Sequence, residues 1–436
     1  MAIDEINASP TLLPNTPITF SYLDSRASSA VALQGALQHA TSSFANTGAD
    51  AVIGPASSSP TINAQLVLKT FNIPQISYSA TSPDLSDNQE YPTFFRTVAS
   101  DAFQGAAIAS FLADSLSFSQ VCVLNGLDSY SAKGADAFIS AASELSLTIR
   151  SSIEVPENPS AEDAENAVTL LAGDGCRVIF MMTQASAAGT IVRSAANRNI
   201  LGKKSGYLWV FPDAITSGMP SVEAYASVAS IDPPVPAVAN LASAFEGSIG
   251  SLPLSPSGSV YENFLASWSN VPSSLSSCGT TDSPLTESCT CAPGVDIDLT
   301  PLYQHDHDRS PATPPRCTGF DPALDAPGPY TVHAYDAVYA VAHAAQTLVT
   351  KGVAEFDKDE LMDALRDVTF EGVTGIIDFE EVRMGVACSQ NGALHARKQR
   401  RPLFIPLPPL FAYVCVLTPC LWCSRGIARP GSASLL

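Results

Sequence analysis

Residues 49–59 read Ala49-Asp50-Ala51-Val52-Ile53-Gly54-Pro55-Ala56-Ser57-Ser58-Ser59, and residues 71–82 read Phe71-Asn72-Ile73-Pro74-Gln75-Ile76-Ser77-Tyr78-Ser79-Ala80-Thr81-Ser82. Each is a short apolar run that breaks at its carboxyl end into small hydroxylated residues, the pattern of a buried strand feeding a turn. Working outward, further short runs at 18–22, 121–124, 178–182 and 207–211 alternate with helical segments, which predicts an α/β protein with parallel sheets. Helix starts are expected at Ser59, where Pro60 suits a first turn, and at Asp101 and Ser160 as caps. From Tyr335 onward, Val338, Tyr339, Ala342 and Ala345 share one helical face and predict a core-facing helix.

The chain has 436 residues, 46% of them hydrophobic and 15% charged, enough to bury two cores. A net charge of -20 argues against a nucleic-acid partner, because phosphate binding needs clustered Lys and Arg. The opening Met-Ala-Ile-Asp-Glu-Ile has no basic start followed by an apolar core, so no signal peptide is read there. Of ten cysteines, Cys122 and Cys176 lie in apolar runs, while Cys278, Cys289, Cys291 and Cys317 share one polar stretch. The remaining four, Cys388, Cys415, Cys420 and Cys423, fall near the end. Cysteines clustered in loops suit disulfides and an oxidising compartment better than a reducing one.

Between about 252 and 330 the alternation gives way to a Ser/Pro/Thr-rich passage, expected to be an elaborated surface loop. It contains His305-Asp306-His307-Asp308, whose adjacent ligands lack the fixed spacing of a metal site, so no metal is expected. Residues 381–436 hold seven Lys or Arg against one acidic residue, whereas residues 1–380 hold 15 against 41. The apolar run at 402–422 has the length of a membrane span, but five prolines interrupt it and the basic residues before it would stay cytoplasmic. These features favour a translated intron or frame-shifted end over a span.

The chemistry concentrates at two strand-to-helix turns, 54–59 and 78–82, at the carboxyl ends of strands where open parallel sheets place their ligand crevices. Hydroxyls and free amides there suit an anionic group such as a carboxylate. Equally, Ser, Thr and Pro serve as ordinary caps and turns. No Gly-x-Ser-x-Gly elbow or phosphate loop occurs, and Gly173-Asp174-Gly175 lacks the third glycine of a dinucleotide turn, so neither catalysis nor a cofactor is expected.

The stretches 49–55 and 71–87, together with Tyr91-Pro92-Thr93-Phe94-Phe95-Arg96-Thr97-Val98, resemble the receptor family ligand-binding region. That family is shared by natriuretic peptide receptors, metabotropic glutamate receptors, GABA type B receptors and the amino-terminal domains of glutamate-gated channels. Tyr335-Asp336-Ala337-Val338-Tyr339-Ala340-Val341-Ala342-His343 and Phe370-Glu371-Gly372-Val373-Thr374-Gly375 resemble two later signatures, and the likeness spans roughly 1–380. It implies a two-lobed, type I periplasmic-binding-protein fold that closes on a small ligand, placed extracellularly on a membrane receptor.

Position by position, the resemblance puts the ligand carboxylate at Ser59, flanked by Ser58, and carboxylate and amine at Ser79 and Thr81, flanked by Ala80. It puts the ligand ammonium at Asp101 and Asp213, and an aromatic stacking over the ligand at Tyr130. It also implies a homo- or heterodimer through the first lobe. The opening Met-Ala-Ile-Asp-Glu-Ile-Asn resembles the end of the family's first helix, so the signal peptide, the first strand and the membrane segments are expected outside this chain.

The expected first lobe is 1–117 plus 244–367, and the second is 118–240 plus 368–380. A soluble solute-binding carrier and a truncated, non-signalling fragment are the rival readings.

Overall fold

The computed structural model describes residues 1–41 apart from 22, 48–219, 244–270, 327–379 apart from 354, and a few isolated positions outside these ranges. In chain order the elements that matter are α1 (Ala2–Ala8), α2 (Ser29–Thr41), β1 (Val52–Ile53), α3 (Ser58–Leu68), β2 (Gln75–Ser77), β3 (Phe94–Arg96) and α4 (Asp101–Ser110). There follow β4 (Gln120–Gly126), α5 (Ser129–Glu144), β5 (Thr148–Val155), α6 (Ala161–Gly173), β6 (Val178–Met182), α7 (Ala185–Asn197), β7 (Leu208–Phe211) and α8 (Asp213–Ser217). The last set is β8 (Ile249–Gly250), α9 (Ser259–Ser269), α10 (Thr331–Thr350), α11 (Lys358–Arg366), β9 (Thr369–Gly372) and β10 (Gly375–Asp378).

Two separate parallel sheets result. One has the order β1-β2-β3; the other runs β8-β7-β6-β4-β5, with Cys415–Val416 antiparallel on β8. This is the expected α/β class with two lobes. In the second lobe every residue of β6 is buried, as a strand covered on both faces requires. On one face Leu171, Ile191, Val192 and Trp209 pack with α6 and α7; on the other, Ile108, Phe138 and Phe180 pack with α4 and α5.

In the first lobe Ile76 and Phe95 carry α10 and α11 through Ala337, Ala340, Leu361 and Leu365. Ala32, Ala36 and Ala40 recur every four residues on α2 and let it lie close against Ala64 and Leu68 of α3. The face of α10 predicted as core-facing does pack, but onto Ile6 and Leu13, while Ala337, Ala340 and Ala344 cover the sheet.

The packing moves three expected boundaries. Residues 101–117, expected in the first lobe, contribute Ile108, Ala109 and Leu112 to the second-lobe core. Gly105 touches the backbone of α5 so closely that a Cβ would sit 2.7 Å from the nitrogen of Phe138. Residues 244–250 also belong with the second lobe through Phe245, Ile249 and the pairing of β8 with β7. Conversely, the 368–379 part of the segment expected in the second lobe packs in the first, where Phe379 lies 5.1 Å from Phe95.

Buried Asp336 fixes that hairpin. It accepts from Val373 N and Thr374 N at 2.8 Å each and from Thr374 Oγ1 at 2.6 Å, and Gly372 leaves the room it needs.

Local expectations fared unevenly. No strand forms at 18–21, because the side chain of Asn7 takes both backbone groups of Ile18, donating to its oxygen at 2.9 Å and accepting from its nitrogen at 2.7 Å. α3 starts at Ser58 after Ser57, two residues before the expected Pro60 start, and Ser100 rather than Asp101 caps α4. Ser160 caps α6 as expected, closing a capping box with Asp163.

Cys122 of β4 and Cys176, two residues before β6, form a disulfide with Cα atoms 6.1 Å apart. The loop cysteines, the His305–Asp308 run and the 402–422 apolar run lie outside the described residues, save the backbone of 291 and 415–416. Among the described residues no helix is long and apolar enough to cross a membrane, and no group of three or more metal-ligating side chains occurs.

Candidate ligand-binding cleft

Each candidate residue follows the carboxyl end of a parallel strand. Ser58 and Ser59 come after β1, Ser79, Ala80 and Thr81 after β2, Asp101 after β3, Tyr130 after β4 and Asp213 after β7. Because the first three strands and the last two belong to different sheets, these ends face one another across the lobes, as crevice binding in open α/β sheets requires.

On the first lobe a buried amide network holds the two turns in register. Gln65 donates to Gln75 Oε1 at 2.9 Å, Gln75 donates to Gly54 O at 2.9 Å, and Thr93 Oγ1 donates to Gln65 Oε1 at 2.5 Å. Gly54 has φ +94°, a conformation that β-carbon-bearing residues rarely adopt. Ser77 Oγ ties the turns together by donating to Pro55 O at 2.7 Å while accepting from Ala80 N at 3.0 Å. The backbone amide of Ala80 is thereby engaged within the turn.

Arg96 clamps the second turn from beneath. Its guanidinium is buried and donates to Ser82 O at 3.0 Å, to Ala80 O at 3.4 Å and to Ser86 Oγ at 2.5 Å. Burial lowers its pKa to about 10, partly offset by the nearby Asp101 carboxylate. The signal for Arg96 in the sequence is a cation inside an apolar Phe-Phe-Arg strand. Arg96→Met should lower unfolding stability by about 2–4 kcal/mol, the cost of stranding buried carbonyls that had a charged donor. A urea titration that leaves the midpoint unchanged would refute the clamp.

Asp101 and Asp213 are both buried, at 1% and 3% exposure. Burial, then the neighbouring Asp213, pushes the Asp101 carboxyl well above the ordinary carboxylate range. Burial also raises Asp213, against the opposing donation of Gln104 and Tyr130. Gln104 Nε2 at 2.7 Å and Tyr130 Oη at 2.8 Å both donate to Asp213 Oδ1, and the hydroxyl of Tyr330 donates to Oδ2. The Tyr130 hydroxyl also accepts from Ala214 N at 3.3 Å. By contrast Asp101 Oδ2 and Gln104 Oε1 are buried with no hydrogen-bond partner among the described residues, while the Thr81 side chain lies against the Asp101 carboxyl and opposes the upward shift. Thr81 sits beside Asp101, whose backbone nitrogen donates to Thr81 O at 2.8 Å.

Ser58 and Ser59 point differently. Ser58 Oγ is buried and accepts from Ser82 N at 3.2 Å, bracing the two turns. Ser59 Oγ accepts across the cleft from Ser129 N at 3.3 Å, and Ser82 and Ser129 share a hydroxyl contact at 2.9 Å. Lys133 reaches Asp84 at 3.7 Å between half-exposed side chains, a contact worth little in solvent. Ser79 is half-buried beside them. Sequence reasoning missed Gln104, Ser129 and Tyr330, whose residue types are common on any surface.

The lobes therefore meet with hydroxyl-bearing turns of the first against buried acids of the second. The profile of the receptor family ligand binding region matches residues 1–386. Over 233 residues, 49% of this chain and 25% of the relative, the sequence is 29% identical to metabotropic glutamate receptor 4 of Mus musculus and, equally, to metabotropic glutamate receptor 8 of Homo sapiens. It is 27% identical over 238 residues to metabotropic glutamate receptor 6 of Mus musculus, covering 49% of this chain and 27% of the relative. The chain thus spans about a quarter of the length of these receptors. With the family profile covering most of its length and the two-lobed fold in place, this chain belongs to the receptor family ligand-binding region.

Proposed function

We propose that this chain is the extracellular ligand-binding domain of a membrane receptor, closing its two lobes on an amino acid or a similar small zwitterion. The observation that carries the ligand chemistry is the pair of buried acceptors without partners, Asp101 Oδ2 and Gln104 Oε1, beside the Thr81 hydroxyl and a second buried carboxyl at Asp213. An ammonium group has three donors to offer such a set, and the dry surroundings strengthen each contact. The half-buried hydroxyls of Ser59 and Ser79 are the natural receivers of the carboxylate. Ser58 and Ala80 act by shaping the turns, and the Tyr130 ring lies on the second-lobe side.

Binding free energy then biases an open–closed equilibrium, and the output is the lobe angle passed to whatever follows in the full-length protein. An extracellular location is supported by the Cys122–Cys176 disulfide, since such bonds persist in oxidising compartments. Dimerisation through the first lobe is supported by the exposed leucines Leu33 and Leu37 of α2 and Leu66 of α3, on adjacent packed helices.

Thr81→Ala and Ser59→Ala should each weaken amino-acid binding by about 1–3 kcal/mol, the loss expected for one charge-assisted hydrogen bond. Calorimetric titration of the common amino acids into each variant measures this. Unchanged affinity in both would sink the site assignment.

A further inference from the structure

We infer that Tyr330 is a positioning residue of this cleft: it presents the first lobe's hydroxyl to Asp213 on the second lobe and so holds the lobes shut at the buried end of the site. The inference rests on the two-lobed closure proposed above and adds a residue that the sequence did not single out.

Asp213 is the first residue of α8, directly after β7 of the second-lobe sheet. Its Oδ1 is filled from its own lobe by Gln104 and Tyr130. Its Oδ2 takes the hydroxyl of Tyr330, which precedes α10 on the first lobe. A carboxylate with one oxygen bound on each side of a cleft can report whether the cleft is closed, because opening strips one oxygen and leaves the other satisfied.

Tyr330 is also tied to the passage between lobes. Its ring lies 6.2 Å from that of His333, whose Nδ1 is 2.7 Å from Thr97 O, while Thr97 Oγ1 donates to His333 O at 2.8 Å. Thr97 directly follows β3, where the chain leaves the first lobe for α4 of the second. A hinge movement at Thr97 therefore displaces the α10 start and the tyrosine with it. Among the described residues, the contacts of α5 across the cleft, Ser129 with Ser59 and Ser82 and Lys133 with Asp84, engage no part of Asp213.

The test is Tyr330→Phe, a change at a half-exposed position that removes one oxygen atom. A donor–acceptor fluorophore pair, one label on α2 and one on α6, reads the interlobe distance, and glycine, L-serine and L-glutamate serve separately as titrants. Tyr330→Phe should reduce the closed fraction, and the affinity for whichever titrant binds, by about five- to tenfold, as loss of one hydrogen bond to a carboxylate implies. In an Asp213→Ala background the same substitution should have no further effect. A merely structural role would leave the interlobe distance unmoved or act equally in both backgrounds, and either result overturns the inference. If no titrant binds the unmodified chain but Tyr330→Phe still opens it, the contact stands and the amino-acid reading fails.

Discussion

Asp101→Asn should raise the stability of the empty protein while weakening amino-acid binding by about 2–5 kcal/mol, the range for removing one partner of a buried charge pair. The two effects have one origin. Asp101 is 1% exposed, its Oδ2 has no partner, and Asp213 lies close enough to oppose its ionisation. An amide of the same shape removes the charge the fold tolerates poorly and, with it, the charge an ammonium would seek.

The sign of the pH dependence follows from the raised folded-state pKa. Below the ordinary value of 3.8 the carboxyl is protonated in both folded and unfolded chains and costs nothing. As pH rises above that value the unfolded chain ionises first, so stability falls until the folded carboxyl also releases its proton. The stability difference between Asp101→Asn and the unmodified chain should therefore be absent in strong acid and grow as pH rises.

Binding should show the opposite trend, because an ammonium favours the ionised carboxyl: affinity climbs with pH through the raised pKa, and the Asn variant is flat. Calorimetry across pH, paired with urea titrations, measures both. A variant that binds as tightly as the unmodified chain would remove Asp101 from the ammonium site.

How much of this was legible in the sequence differs between sheet and site. Strands covered on both faces announce themselves as unbroken apolar runs, which is why β6 falls at the expected 178–182. β5 did not, because Thr148–Val155 lies at the sheet edge and alternates exposed with partly buried residues, with Arg150, Ser151 and Ser152 inside it. Assignment of segments to lobes failed wherever an amphipathic face had to choose a sheet. The stripe Ile108, Ala109 and Leu112 is equally consistent with either core, and only the close approach of Gly105 to α5 decides it.

The acidic residues of the site came from resemblance, since a lone Asp after a strand carries no signal of its own. What neither pattern nor resemblance supplied was the pairing: that both oxygens of Asp213 take donors while Asp101 Oδ2 has none is a property of three dimensions.

Removing the Cys122–Cys176 bond should cost about 4 kcal/mol of unfolding stability, the loop-entropy expectation for a closed loop of some fifty residues. The two cysteines are 54 residues apart, so the bond spans β5 and α6 and ties β4 to the residues leading into its neighbour β6. Both side chains are buried in the core that packs α6 and α7, where reductant reaches them only after the sheet opens. Stability of the oxidised chain should therefore persist in mild reductant and drop only under denaturing conditions.

A Cys122→Ala, Cys176→Ala double variant should unfold at a lower urea concentration than the oxidised chain, and alkylation of the denatured, unreduced protein should leave both positions unlabelled. The consequence reaches the cleft, because β4 ends two residues before α5, which carries Tyr130, and β6 lies between β4 and β7, which leads to Asp213. Loosening β4 from β6 lets Tyr130 and Asp213, joined by a 2.8 Å hydrogen bond, drift relative to each other, so the double variant should lose amino-acid affinity along with stability. Labelled thiols at both positions and an unchanged urea midpoint would show that the second lobe holds its shape by packing alone.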